Sequence, residues 1–277
     1  MTEPRGRRFD SVAAEYDRVR PGYPDSLVDE ACERAGLGPG SRVVEVGCGT
    51  GKLTVALVER GLQVEAVDPG AAMVEVARGR LADAPVRFHV APFAEVDLPE
   101  RSFEAVFSAT AFHWIDPAVG WAKAARLLRS GGVLALLTHV GGGTELDAEY
   151  VAAWRAVLPE AAEWVARDPE TLRAGAEERR GNVSAVWSWL THHELSEPDA
   201  ADLFADVRIS MTRIDQEETT EQSLALTRTT SCYLGLDQER RRRLEQLLTE
   251  VFERAGGSYR STHFATLVTA SARGGGR

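Results

Sequence analysis

The apolar positions of the chain switch between two periods. From Arg42 onward, short runs rich in branched residues (Arg42–Val46, Gln63–Val67, Val86–Val90, Phe103–Ser108 and Val133–Thr138) alternate with segments whose apolar residues recur every three or four positions. The first kind has the length and composition of buried strands, the second the spacing of amphipathic helices. Lys52–Arg60 sets Leu53, Ala56 and Leu57 on one face and ends at Gly61; Ala71–Leu81 does the same with Met73, Val74 and Ala77. Asp116-Pro117 predicts an N-cap followed by proline at the first helical position, with a helix running to Leu128 before Gly131-Gly132. Strands alternating with helices across short loops predict a parallel sheet covered on both faces.

The flanks read differently. Phe9, Val12, Ala13, Tyr16 and Val19 predict a helix over Phe9–Arg20, broken by Pro21-Gly22-Tyr23-Pro24. A second helix starts at Pro24-Asp25, carries Leu27, Val28, Ala31 and Cys32 inward, and stops at Gly36. After Gly141-Gly142-Gly143 the stretch Thr144–His193 reads as helical and holds Trp154, Trp164, Trp187 and Trp189, four of the six tryptophans. Ser196-Glu197-Pro198 predicts a short helix to Phe204, Val207–Ile214 a strand, Thr219–Arg228 a helix, Gln238–Ala255 a long charged helix and Thr262–Ser271 a last strand. Residues 1–8 and 274–277 read as frayed ends.

Composition narrows the field of partners. The 277 residues are 44% hydrophobic and 27% charged, enough for one elaborated domain or two small ones. A net charge of -10 disfavours duplex nucleic acid and anionic membrane surfaces, so neither is expected as a partner. The apolar run Val133–Leu137 is far too short for a bilayer, and no apolar region follows the basic N-terminus as a secretory leader would require. Cys32, Cys48 and Cys232 fit neither a zinc site nor a disulfide framework, which points to free thiols, a cytoplasmic setting and no metal. The run Arg240–Arg243 reads as a solvated helix face, and His192-His193 as surface rather than a metal site.

The chemistry gathers at Glu45-Val46-Gly47-Cys48-Gly49-Thr50-Gly51, between the first predicted strand and the following helix. Strand, glycine turn and helix make the generic cofactor site of doubly wound sheets. A phosphate-binding P-loop needs glycine five positions before the Gly-Lys pair and Ser or Thr after it, but Val46 and Leu53 stand there. A dinucleotide fingerprint needs G-x-G-x-x-G, and Lys52 takes the third glycine's place, which leaves a nicotinamide oxidoreductase as a weaker alternative. Asp68, at the end of the second strand, is a candidate acceptor for ribose hydroxyls, with an N-cap for the helix from Ala71 as its alternative role.

With Val64-Glu65-Ala66-Val67-Asp68-Pro69 and Leu128-Arg129-Ser130-Gly131-Gly132-Val133-Leu134, this turn resembles the motifs of class I S-adenosylmethionine-dependent methyltransferases. Phe9-Asp10 with Tyr16-Asp17-Arg18-Val19-Arg20-Pro21-Gly22-Tyr23-Pro24, and Thr229–Asp237, are similar to a small-molecule subgroup related to trans-aconitate methyltransferases. The resemblance covers residues 9–140 and 200–272 and leaves the tryptophan-rich insert aside.

The resemblance implies an α/β fold: a doubly wound seven-stranded mixed sheet, Rossmann-like, with N-terminal lid helices and a helical cap insert. It divides the chain into lid helices (1–40), a cofactor-binding core (41–143 and 196–273, with helices 219–256 contributing to the lid) and a substrate cap (144–195). The cofactor S-adenosylmethionine, leaving as S-adenosylhomocysteine, would be held by Glu45, Gly47, Cys48, Gly49, Thr50 and Gly51 of the turn, Asp68 at the ribose, and Pro69 and Met73 at the adenine. Ala91, Pro92 and Phe93 follow the third strand; Pro92 stands where many relatives carry an acid for the adenine amine. Ser108, Ala109, Thr110 and His113 would pass beside the methionine part and the methyl, with Tyr16 and Arg20 closing over it.

His113 is the candidate general base, with packing beside Trp114 as its alternative role. Tyr23, Trp114, Trp154 and Trp187 are the candidate acceptor-pocket residues. The implied activity is methyl transfer to an O, N or activated C atom of a small-molecule metabolite, with specialised metabolism as one setting and a monomer or homodimer as the assembly. The alternative is a protein or enzyme that binds the same cofactor and uses its charge without methylating.

Overall fold

The structure, a computed structural model, describes residues 5–159, 168–192 and 199–274, with the side chains of residues 5–7 left aside. Among them, seven strands form one sheet in the order β3-β2-β1-β4-β5-β7-β6, with β1 at Arg42–Val46, β2 at Gln63–Asp68, β3 at Val86–Val90, β4 at Phe103–Ala109, β5 at Leu128–Thr144, β6 at Phe204–Thr219 and β7 at Ser258–Ala272. The first five run parallel; β7 pairs antiparallel with both β5 and β6.

Strand alternation sends side chains to opposite faces and builds two cores. Val43, Val64, Ala66 and Phe107 meet α2 (Asp25–Arg34) and α3 (Lys52–Glu59) through Val28, Ala31, Leu53 and Leu57. Val44, Val46, Val106 and Leu134 meet α5 (Pro117–Leu127) on the other face, with Trp121 and Leu127 inward. Asp116 caps α5 by accepting from Ala118 N, with Pro117 at the first position, as the sequence predicts. This is the seven-stranded mixed sheet with flanking helices that the resemblance implies.

The insert joins, through its described helices, cores formed with the rest of the chain. Its α6 (Asp147–Val157) packs Ala153, Trp154 and Val157 against α10 (Ser231–Leu234) and α11 (Gln238–Arg254), in a third cluster with Tyr233, Leu244, Leu248 and Phe252. Its α7 (Pro169–Glu178) and α8 (Val183–Thr191) lie on the sheet, where Leu172, Val186, Trp187 and Leu190 join the α5 core. Trp189 stands over α7, and Trp164 and His193 lie outside the described residues.

Several expected boundaries move. The predicted Phe9–Arg20 helix is a 3-10 segment, Arg5–Val12, followed by α1 (Ala13–Val19); the chain bends at Val12, and the Asp10 carboxylate is occupied elsewhere, as shown below. The glycine run 141–143 does not end β5 but forms an irregularity inside it, opposite His263 and Thr262. A Cβ on Gly142 would stand 2.6 Å from the Phe264 ring, so the close approach requires glycine. Strands β6 and β7 outrun their predicted ranges because their added residues, such as Glu217 and Arg260, are polar on both sides and carry no apolar alternation. The predicted helix to Phe204 is a turn at Ala201–Leu203 leading into β6; residues 196–198 lie outside the described part. The basic run on α11 is exposed except at Arg241, whose guanidinium donates to the Tyr233 and Leu234 carbonyls and so closes α10.

Candidate functional site

The sheet order reverses between β1 and β4, and a doubly wound sheet opens its crevice there, beyond the carboxyl ends of the strands. A cavity of about 700 Å3 occupies that place. Gly47, Gly49 and Gly51 have φ of +72°, +54° and +83°. A Cβ on Gly47 would come within 2.2 Å of the Ala111 Cβ, so the turn must be bare for β1 and the segment after β4 to meet. Gly47 and Gly49 face the cavity; Gly51 instead packs on α4 (Ala71–Arg80), 3.0 Å from the Ala77 Cβ if a Cβ were added.

Asp68 is the buried acid of this wall. Its Oδ2 accepts from Gly49 N at 2.9 Å and its Oδ1 from Gly70 N at 2.8 Å. Each oxygen keeps lone-pair capacity for one further donor. Burial raises its pKa to about 6 despite these bonds, with the Asp10 charge adding to the rise. Asp10 comes from the N-terminal segment, and its Oδ1 accepts from Ala72 N at 3.1 Å and Met73 N at 3.3 Å. The helix α4 begins at Gly70 without a side-chain cap of its own, so Asp10 caps it from 62 residues away. Asp17 ties the same segment down, pairing with Arg80 at 2.6 Å while its carbonyl accepts from Lys52 Nζ at 2.7 Å.

Thr110 carries a φ of +51°, a conformation rare for a threonine, at the cavity wall. Its amide donates to Leu137 O at 2.8 Å and its hydroxyl bonds the Tyr23 phenol. Tyr23 in turn stacks on His139, centroids 4.8 Å apart. Arg20 lies over the Tyr16 ring at 5.4 Å and donates to Thr229 through Nε (2.9 Å) and one terminal nitrogen (2.8 Å). Tyr16 meets Phe9 edge-on, and Phe9 meets Trp114 the same way.

Of the residues expected at a cofactor, Tyr16, Arg20, Gly47, Gly49, Asp68, Pro69, Met73, Pro92, Phe93, Ala109, Thr110 and His113 line the cavity, as do Trp114 and Trp154 of the expected acceptor residues. The others do not. Glu45 and Ser108 fall to the wrong side of the strand alternation or beneath its end: Glu45 is 1% exposed, beside Thr54 of α3, and the Ser108 hydroxyl donates to Val46 O at 2.7 Å. Burial, with the Asp68 charge adding to it, raises Glu45 to about 8, and its Oε2 has no hydrogen-bond partner among the described residues. Cys48 and Thr50 are buried behind the turn, and Ala91 contributes its N–H to Asp68 O at 3.1 Å. Tyr23 acts on Thr110 from behind the wall. Trp187 is fully buried, 6.2 Å from the His113 ring, and backs it rather than facing the cavity.

Sequence reasoning passed over Phe9, Tyr150, Val151, Thr191, His192 and the run Thr230-Ser231-Cys232, all of which line the cavity. Tyr150, Val151 and Trp154 fall on one side of α6 at i, i+1 and i+4, a signal present in the sequence; the hydroxyl run had none beyond its place in a resembling segment. No group of three or more His, Cys, Asp or Glu is placed to hold a metal among the described residues.

The chain is similar to known proteins. Residues 44–136 match the family described as a methyltransferase domain. An uncharacterized methyltransferase of Mycobacterium tuberculosis is 43% identical over 129 residues, covering 47% of this chain and 51% of its own. A Saccharomyces cerevisiae protein named as a probable S-adenosylmethionine-dependent methyltransferase is 33% identical over 139 residues, 48% of this chain and 47% of its own. The chain thus spans about half the length of the curated relatives it matches. A solved structure from Anaeromyxobacter dehalogenans, described as that of a type II methyltransferase, superposes with a TM-score of 0.58 at 23% identity, over 91% of this chain and 97% of its own. Residues 44–136 are thus similar to a methyltransferase domain, and the described residues share the fold of that solved methyltransferase structure.

Proposed function

We propose that the chain binds S-adenosylmethionine in this cavity and transfers its methyl group to a small molecule. What carries the reading is the joining of the bare Gly47–Gly49 turn and the buried Asp68 in one cavity, inside the matched domain. The residues fit the group: Asp68 keeps acceptor capacity for two ribose hydroxyls, Pro69, Met73 and Phe93 flank an adenine, and main chain near Phe93 substitutes for the acid that Pro92 replaces. The Arg20 nitrogen not committed to Thr229 takes the carboxylate, and Tyr16 covers the methionine end. When bound, the cofactor supplies a methyl on a cationic sulfur, which departs as a neutral thioether and needs no acid.

The chain's own work is alignment and exclusion of water, which together supply roughly 7–11 kcal/mol of such a barrier. The segment 5–20, within lid helices 1–40, encloses the site; the core is 41–143 and 196–273. From the insert 144–195, α6 provides the acceptor wall. His113 accepts the proton of a hydroxyl or amine nucleophile. The free state of Cys32, Cys48 and Cys232 accords with a reducing, cytoplasmic setting, and the assembly is a monomer or homodimer.

Calorimetry with S-adenosylhomocysteine and NADH, followed by incubation with methyl-labelled cofactor and candidate acceptors, tests the reading. Binding of the first ligand alone and labelled product are expected; an unlabelled, rearranged product would overturn methyl transfer in favour of charge assistance. His113→Ala is expected to lower turnover about 10²-fold while changing S-adenosylhomocysteine affinity less than threefold. Full activity in that variant would leave His113 a packing role.

A further inference from the structure

The cavity exceeds the surface a cofactor would use. Beyond Gly47, Asp68 and Met73, the lining takes in Phe9, Trp114, Tyr150, Val151 and Trp154, with Ser231 at the start of α10. The formally charged side chains lining the whole cavity, among the described residues, are Arg20, Asp68 and Asp116, with His113 and His192 as imidazoles. One of these is a cation, and it already gives two donors to Thr229.

We infer that the acceptor is a non-anionic molecule with an apolar, ring-bearing body and a hydroxyl or amine nucleophile, and that polycarboxylates are excluded. The inference rests on the proposed cofactor reading and follows from a count of charges. The cofactor brings one carboxylate, and among the described lining residues Arg20 is the one cation to meet it. An acceptor carrying carboxylates or phosphates would be desolvated against Asp116 and aromatic rings with no cation left, and an uncompensated buried charge costs far more than a buried ring gains. Rings have the opposite fit: the Tyr150–Trp154 and Phe9–Trp114 pairs, at 6.5 Å and 6.3 Å, present apolar faces and edges to a flat partner. The Thr230 hydroxyl caps α10, donating to Thr227 O at 2.7 Å and accepting from Tyr233 N at 3.3 Å, which leaves the Ser231 hydroxyl to orient an acceptor without demanding charge. The resemblance to trans-aconitate methyltransferases therefore stops at the cofactor side, since a tricarboxylate meets none of the cations it needs.

The full chain saturated with S-adenosylhomocysteine is titrated, by calorimetry and tryptophan fluorescence, with catechol, 4-methoxyphenol and tyramine, and separately with trans-aconitate and citrate. At least tenfold tighter binding of one or more ring compounds than of either tricarboxylate is expected. The variant Val151→Arg, at a half-buried position on the cavity side of α6, is expected to raise tricarboxylate affinity at least threefold with S-adenosylhomocysteine affinity kept within twofold. Tricarboxylate binding equal to or tighter than that of the rings, or no binding by any ring compound, overturns the inference. Failure of S-adenosylhomocysteine to bind in the first place would instead strike the cofactor reading.

Discussion

One wall of the cavity is main chain: the glycine turn after β1, the end of β2 and the irregular segment after β4. The wall that faces it is side chain: Phe9 and Tyr16 from the N-terminal segment, Tyr150 and Trp154 from α6, Thr230 and Ser231 at the start of α10. The first is fixed by contacts that leave no room for a Cβ and by a carboxylate held on two amides. The second is held by ring contacts and can change shape by changing residue. A backbone wall suits a ligand that never varies, and a side-chain wall suits one that differs between relatives.

That contrast is broken most sharply at Gly47. Gly47→Ala places a Cβ 2.2 Å from that of Ala111 at a φ of +72°. It is expected to abolish S-adenosylhomocysteine binding and to lower stability by about 2–4 kcal/mol, read by calorimetry and denaturant unfolding. Asp68→Ala comes next, with at least tenfold weaker binding of the same ligand and the fold retained. In the unaltered protein, binding should weaken as pH falls through about 6, where the Asp68 carboxylate takes up its proton. Unchanged affinity in the variant would remove Asp68 from the site.

Asp10 sharpens the comparison, since it belongs to the N-terminal segment yet supports the backbone wall. Asp10→Ala should weaken S-adenosylhomocysteine binding about fivefold and expose residues 5–20 to protease, a cap being worth about 0.5–2 kcal/mol. Asp10→Asn, which keeps an accepting oxygen for Ala72 and Met73, should restore both; failure of the asparagine to do so would rule out a capping role. The smallest effect is expected at Glu45. Its folded pKa, about 8, lies above the ordinary carboxylate value of 4.5, so the folded state binds more protons between the two. Stability from this group is present below pH 4.5 and lost as pH rises through 8. Glu45→Gln should therefore raise Tm at pH 8.5 by a few degrees and leave it nearly unchanged at pH 5.

The backbone wall was readable in advance because its causes are local. Strand alternation, three glycines and an acid at a strand end appear in order along the chain, and β1 to β4 fall where the pattern puts them. The side-chain wall was not, because its members come from three separated segments and only tertiary packing brings Phe9, Trp154 and Ser231 together. Where the local signal misled, the reason is also physical. Glu45 belongs to the motif but alternation turns it away from the cavity, and Trp187 belongs to the insert but α8 serves the sheet. The glycines at 141–143 read as the boundary before the insert, whereas they let β5 continue past the Phe264 ring.

The third hydrophobic cluster has one more consequence. Trp154, Val157, Tyr233, Leu244, Leu248 and Phe252 pack together, and the cluster meets the sheet at Tyr259 of β7, which stacks on Phe252 at 5.2 Å. The proposed acceptor wall thus stands on a foundation joined to the sheet at one strand end. Selection for a new acceptor can recut the cavity side of α6 while the glycine turn and Asp68 keep their contacts, so a lineage can diversify its chemistry here without relearning how to fold.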